Sequence, residues 1–156
     1  MAAWVPFPVK AWPFFLKGTT MEQQITRDIA EQDFERILKA ARVKWAIYSK
    51  MIGRDADVDR EIIIDAIEDG RITVNDEGFP TVYPDTQNEK LKEIKICRRT
   101  TRGDKLAMDR VKDGHNIAKQ DAVLAKFLGI APGMLQLLED RDYNLIDCLW
   151  TIFLGY

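Results

Sequence analysis

The stretch that most constrains this chain is residues 121–154, DAVLAKFLGIAPGMLQLLEDRDYNLIDCLWTIFL, an apolar run cut by glycine, proline and aspartate. Ala122, Leu124, Ala125 and Leu128 recur at helical spacing and stop at Gly129, a residue suited to the left-handed position after a helix. Pro132 stands where a first helical turn tolerates proline, and Leu135, Leu137 and Leu138 follow it. Asp140 or Asp142 can cap a last helix carrying Leu145, Leu149, Ile152 and Phe153 at three- and four-residue spacing. Three short helices with so little polar surface between them must bury against one another or against a partner. In the last one, Tyr143, Leu145, Leu149, Trp150, Ile152, Phe153 and Leu154 wrap beyond the roughly 100° that a surface helix gives to its own domain. That excess makes Tyr143, Leu149, Trp150, Phe153 and Leu154 the candidate partner-binding residues. Trp150 and Phe153 come first, because aromatic side chains dominate binding hot spots.

Upstream, residues 27–52 read as one long amphipathic helix, with Phe34, Ile37, Leu38, Ala41, Trp45, Tyr48 and Ile52 on one stripe and Gly53 closing it. The run Asp55-Ala56-Asp57-Val58-Asp59 opens like a calcium loop. However, the turn position that needs glycine is Arg60, and the position that needs a bidentate carboxylate is Ala66. The acidic run therefore reads as the start of a second helix, over about residues 58–69, burying Ile62, Ile63, Ala66 and Ile67 and closing at Gly70. Residues 71–74 and 79–83 then form two β-rich runs around Asn75-Asp76-Glu77-Gly78, a hairpin in which Pro80 implies an edge strand or a bulge. Leu91, Ile94 and Ile96 mark a third strand. Thr101 and Asp104 fit a capping box for a thinly apolar helix over residues 102–112, broken at Gly114 and His115. The arginine-glycine-aspartate tripeptide inside that box is explained by capping.

These elements sum to an α+β, mainly α protein. It has two N-terminal helices (residues 21–70), a small three-stranded antiparallel sheet (71–97) and a C-terminal helical cluster (98–156), in a single domain over 21–156. Residues 1–20 stand apart: Trp4, Phe7, Trp12, Phe14 and Phe15 make them apolar, while Pro6, Pro8 and Pro13 forbid a continuous helix. They are either an extension upstream of a start at Met21 or an arm that packs on the body or on a neighbouring subunit. The segment is too short and broken for a membrane span and lacks the marks of a secretory signal.

A net charge of −2 does not favour nucleic acid as a partner. Cys97 and Cys148, far apart and without neighbouring ligands, read as free thiols of a reducing compartment, the cytoplasm. His115 is the single histidine and has no serine, cysteine or second histidine at useful spacing. No phosphate-cradling loop, nucleophile elbow or paired-histidine motif occurs, so the expectation is a non-catalytic protein with no cofactor and no metal.

The order of pieces in the second half carries a resemblance. A strand ending in Arg98 and Arg99 leads into Thr100-Thr101-Arg102-Gly103-Asp104 and a polar helix. The Leu-Ala-x-x-x-Gly-Ile-x-Pro turn at residues 124–132 follows, then Asp140-Arg141-Asp142-Tyr143 and a closing Phe153-Leu154-Gly155. This resembles the E-type tail assembly chaperones of contractile-tailed bacteriophages, which share an arginine-proline-threonine-x-x-aspartate step after a strand and a helix-Gly-helix-Asp-helix tail. The resemblance covers about residues 80–155. It departs from the pattern at Thr100, where the family has proline, and it does not extend before Ile72. It implies a protein of the bacterial host cytoplasm, absent from the mature virion. Such a protein holds the tape-measure protein, and possibly tail tube subunits, until the tube polymerises. A homo-oligomer is possible, and neither nucleic acid nor membrane is involved. The alternative of another class is a small helical regulatory or DNA-associated protein with residues 90–110 as its basic segment.

Overall fold

The computed structural model describes residues 25–52, 54–111, 114 and 116–154. The expectations for residues 1–20, for Gly53 and for His115 lie outside them. The fold is mainly helical with one small three-stranded antiparallel sheet, as the sequence implies. Its buried apolar residues form one continuous cluster from Ala30 to Phe153.

Helix α1 (Arg27–Ala41) starts at Thr26, whose hydroxyl accepts the Ile29 N–H, and buries Ala30, Phe34, Ile37, Leu38 and Ala41. The single helix expected over residues 27–52 does not form. Arg42 takes the left-handed conformation (φ 61°), the Val43 N–H donates to the Leu38 carbonyl at 2.9 Å, and a separate helix α2 (Trp45–Met51) follows. An unbroken helix would run roughly 39 Å and carry Trp45 and Tyr48 past the end of their core. The turn instead folds them back, Trp45 edge-on to Phe34 at 5.5 Å and stacked on Tyr48 at 5.3 Å.

Asp55 caps helix α3 (Ala56–Glu68) by accepting the Asp57 N–H at 3.0 Å, the helix-start role expected of the acidic run. The buried face is turned from the expected one: Ile63, Ile64, Ala66 and Ile67 are inside, whereas Ile62 is exposed. Helix α3 packs on both α1 and the last helix, and that double contact draws Ile64 and Asp59 inward. On its outer side Arg27 of α1 pairs with Glu61, Asp65 and Glu68.

Gly70 (φ 77°) turns the chain into the sheet of β1 (Ile72–Val74), β2 (Pro80–Val82) and β3 (Ile94–Lys95), in that spatial order. Ile72 pairs with Val82, and Val82 with Ile94. Pro80 therefore lies on the central strand, not at an edge or a bulge. It is tolerated as the first residue of that strand, where its carbonyl accepts the Ile96 N–H at 3.0 Å and no N–H is required of it. Leu91 belongs not to β3 but to a buried 3-10 turn, Glu89–Leu91. The hairpin loop presses on α1: Gly78 has φ 90°, and a Cβ there would sit 2.5 Å from the Arg36 carbonyl oxygen.

The helix expected over residues 102–112 is instead a single α turn, α4 (Arg102–Lys105), running into a 3-10 segment, Leu106–Arg110. So few apolar residues give a longer helix no face to bury. Helix α5 (Asn116–Leu128) buries Val123, Leu124, Ala125 and Phe127 and stops at Gly129 (φ 72°), with Ala122 and Leu128 half-buried. Pro132 begins a 3-10 segment, Pro132–Leu137, in which Leu135 is buried and Leu137 exposed. Helix α6 (Asp140–Phe153) closes the described chain.

Candidate functional site: the last helix and the groove beside it

Neither Asp140 nor Asp142 caps α6; the N-cap residue is Glu139, which makes no side-chain cap bond. Asp142 is wholly buried and turned sideways. It accepts from Arg71 at 2.6 Å and from the Asp85 N–H at 3.0 Å, so it ties the helix to the start of β1 and to the loop after β2. A buried carboxylate without such partners would be strongly unfavourable.

One turn on, the Tyr143 hydroxyl donates to Asp121 of α5 at 2.7 Å, and burial together with Asp121 pushes its proton affinity above the ordinary tyrosine range. Gln120 of α5 donates to Asp147 at 2.8 Å. Arg54 reaches across from the start of α3 to Asp59 (2.7 Å), Asp147 (3.1 Å) and the Thr151 hydroxyl (3.3 Å). The Cys148 thiol lies against Asp59 at 3.5 Å, and burial, with the neighbouring carboxylate, pushes its pKa up to about 12. At neutral pH it is a protonated packing group rather than a nucleophile.

At the C-terminal end Phe153 stacks on Phe79 of the hairpin at 5.8 Å and leans on Phe127 of α5 at 6.5 Å. Its carbonyl accepts from the Thr100 hydroxyl at 2.9 Å. Arg98 covers the outer face of Phe127 at 5.4 Å and forks onto Asp104 through two bonds of 2.6 and 2.7 Å. Asp104, itself buried, also accepts the Thr101 N–H at 2.8 Å, the reach-back half of the expected capping box. The Arg98 bonds, reinforced by that N–H, outweigh the effect of burial and hold the Asp104 carboxyl down at about 2.

The five candidate partner-binding residues are therefore divided. Leu149, Phe153 and Trp150 are in the core, at 0, 1 and 9% exposure; Tyr143 and Leu154 are half-buried. The excess apolar arc of α6 is covered within the chain, by α1 and α3, by α5 and by the Phe79 loop. The 100° limit holds for a helix lying on a surface; α6 is enclosed on several sides.

Trp150 and Leu154 do share one open feature. Beside α6 runs a groove of about 780 Å³ whose walls are Met51 and Ile52 at the end of α2, Val123 of α5, and Arg54, Lys105 and Asp147. Trp150 lines it, and its buried indole N–H has no hydrogen-bond partner among the described residues. An unpaired buried donor costs about 1–3 kcal/mol. Nothing in the sequence points to this groove beyond Trp150 and Leu154 themselves. Ile52 reads as the end of a core stripe.

Among the described residues, no group of three or more histidine, cysteine, aspartate or glutamate side chains could hold a metal ion. Nor is any helix among them long and apolar enough to cross a membrane. Comparison with protein-family models, with curated proteins and with solved structures finds no match.

Proposed function

We propose that this protein is a tail assembly chaperone of a contractile-tailed phage or prophage. In this reading it binds the tape-measure protein during assembly in the host cytoplasm, catalyses nothing, and is left out of the virion. The observation that carries the reading is the order of motifs from β3 to the end of α6. It is supported by the use this chain makes of the strand–arginine–threonine–x–x–aspartate step. Arg99 donates to the Ala40 carbonyl at the end of α1 (3.0 Å), Thr100 to the end of α6, and Thr101 and Asp104 close the capping box. The step is thus fixed to α1 through Arg99 and to α6 through Thr100, while Thr101 and Asp104 bond each other. Thr100, where the family has proline, uses a hydroxyl that proline lacks. Binding without chemistry also suits an arrangement in which the carboxylates and the thiol around α6 are occupied with one another.

The DNA-associated alternative draws less support, because four of the eight cations of residues 90–110 are engaged internally. Lys92 pairs with Glu89 at 2.7 Å, Lys95 with Glu93 at 3.3 Å and Arg98 with Asp104, while Arg99 is spent on a carbonyl. Counterion release from DNA needs cations free to meet phosphates.

The test is co-expression of the full chain with the tape-measure protein encoded in the same tail gene cluster, followed by affinity purification through the chain. The reading expects the two to elute together at a fixed ratio. Recovery of the chain alone, while the client is present in the lysate, would overturn it.

A further inference from the structure

Val58, Ile62, Asp65 and Asp69, at four-, three- and four-residue spacing, form an exposed stripe down the outer side of α3. The charge around it is one-sided. Glu31, Glu61, Asp65 and Glu68 share two guanidiniums, those of Arg27 and Arg60, while Asp57 and Asp69 have no ion pair among the described residues. Six carboxylates thus stand against two cations. By contrast, exposed Ile47 lies between Lys44 and Lys50 in the sequence, and exposed Leu106 next to Lys105. The first twenty residues have the chemistry that matches the α3 stripe. They carry five aromatic rings, Trp4, Phe7, Trp12, Phe14 and Phe15, together with Lys10 and Lys17 and no carboxylate. They also enter the body at the right place. Ile25 packs on the core, and Arg27, two residues on, meets Asp65 at 2.6 Å. From Asp65, Ile62 and Val58 lie one and two turns back along α3, about 10 Å in all, well within the reach of twenty extended residues at about 3.3 Å each.

We propose that residues 1–20 are an arm that docks on the outer stripe of α3 in the same chain. Its rings seat on Val58 and Ile62, and Lys10 and Lys17 face Asp65 and Asp69. The short link, residues 21–24, holds the arm at a high local concentration beside its own α3, which favours that helix over a neighbour's. Docking removes from water an apolar run that would otherwise invite aggregation. The inference is independent of the chaperone reading, and the failure of either leaves the other standing.

The experiment uses the full 15N-labelled chain carrying Cys97→Ser and Ala11→Cys, so that a nitroxide can be attached at residue 11 while Cys148 stays buried and unreacted. The nitroxide is expected to broaden the amide signals of residues 57–65 most strongly, with recovery when it is reduced. Two further full-chain variants, Val58→Lys with Ile62→Lys and Lys10→Glu with Lys17→Glu, change only exposed positions of α3 or the arm itself. Each should abolish the loss of signal, with circular dichroism unchanged. Deleting residues 1–20 should shift the same α3 amides. Strongest broadening on another surface, or none at all, would overturn the proposal. Broadening that survives both pairs of substitutions would do so as well, as would a deletion that leaves the α3 amides unshifted. Finally, a nitroxide-bearing copy without 15N is mixed with the 15N chain. The signals of residues 57–65 should then keep their intensity; their loss would place the arm on a neighbouring copy and overturn the proposal.

Discussion

Truncating Phe153 to alanine tests how the last helix is held. The side chain is 1% exposed and lies between two rings, Phe79 at 5.8 Å and Phe127 at 6.5 Å. Removing a buried phenylalanine ring costs about 3–5 kcal/mol through lost burial and the cavity left behind. Two aromatic contacts of this kind contribute about 0.5–1.5 kcal/mol each beyond burial. The neighbours, held by the Arg98–Asp104 fork on one side and the hairpin on the other, have little freedom to collapse into the space. The upper half of the range, about 4–5 kcal/mol, is therefore expected. Against the 5–15 kcal/mol typical of a whole domain, that leaves a marginal fold. The assay is equilibrium urea unfolding followed by circular dichroism. For a domain of this size the midpoint should fall by roughly 2 M with the slope unchanged. Leu154→Ala, at a half-buried position on the groove, is the control and should cost clearly less. A Phe153→Ala protein that unfolds within about 1 kcal/mol of the parent would refute the placement of this ring in the core.

Three other outcomes follow from the same geometry. The Asp104 carboxyl is held at about 2, below its ordinary 3.8, so its contribution is present above pH 4 and fades as the pH falls towards 2. Asp104→Asn should cost about 2 kcal/mol at pH 7, with the gap from the parent closing in acid unfolding titrations. Gly78→Ala should destabilise by about 2 kcal/mol or more, because φ 90° is combined with a carbonyl 2.5 Å from the new Cβ. Gly70→Ala, at φ 77° in open space, should cost about 1 kcal/mol, and thermal melts rank the two. Iodoacetamide at pH 8 should label exposed Cys97 alone in the native protein and both cysteines after denaturation, as mass spectrometry would show.

Element types were largely legible in the sequence because they rest on local signals. Asp55 and Thr101 announce helix starts, Gly70 and Gly129 announce stops, and Asn75 to Gly78 a turn, each through the backbone conformation or cap its side chain favours. What long-range packing decides was not legible. Arg42 has no intrinsic preference for the left-handed turn it takes; the turn forms because Trp45 and Tyr48 gain more by folding back on Phe34. Pro80 pointed to an edge, but β3 arrives from the far side and needs only its carbonyl. The candidate site was half visible. The concentration of apolar side chains on α6 is plain in the sequence, but whether they face a partner or the chain itself depends on α1, α3 and α5 closing around them. Asp142 shows the same limit: a capping residue by position, it becomes an internal anchor because Arg71 and the Asp85 N–H are brought to it across the fold.

The central functional claim concerns the client, and the most direct measurement is light scattering of an apolar helical fragment of the tape-measure protein diluted from denaturant, with and without the full chain. An equimolar amount of the chain is expected to keep the fragment in solution and to elute with it as one complex. Aggregation at an unchanged rate, with the chain folded throughout, would contradict it.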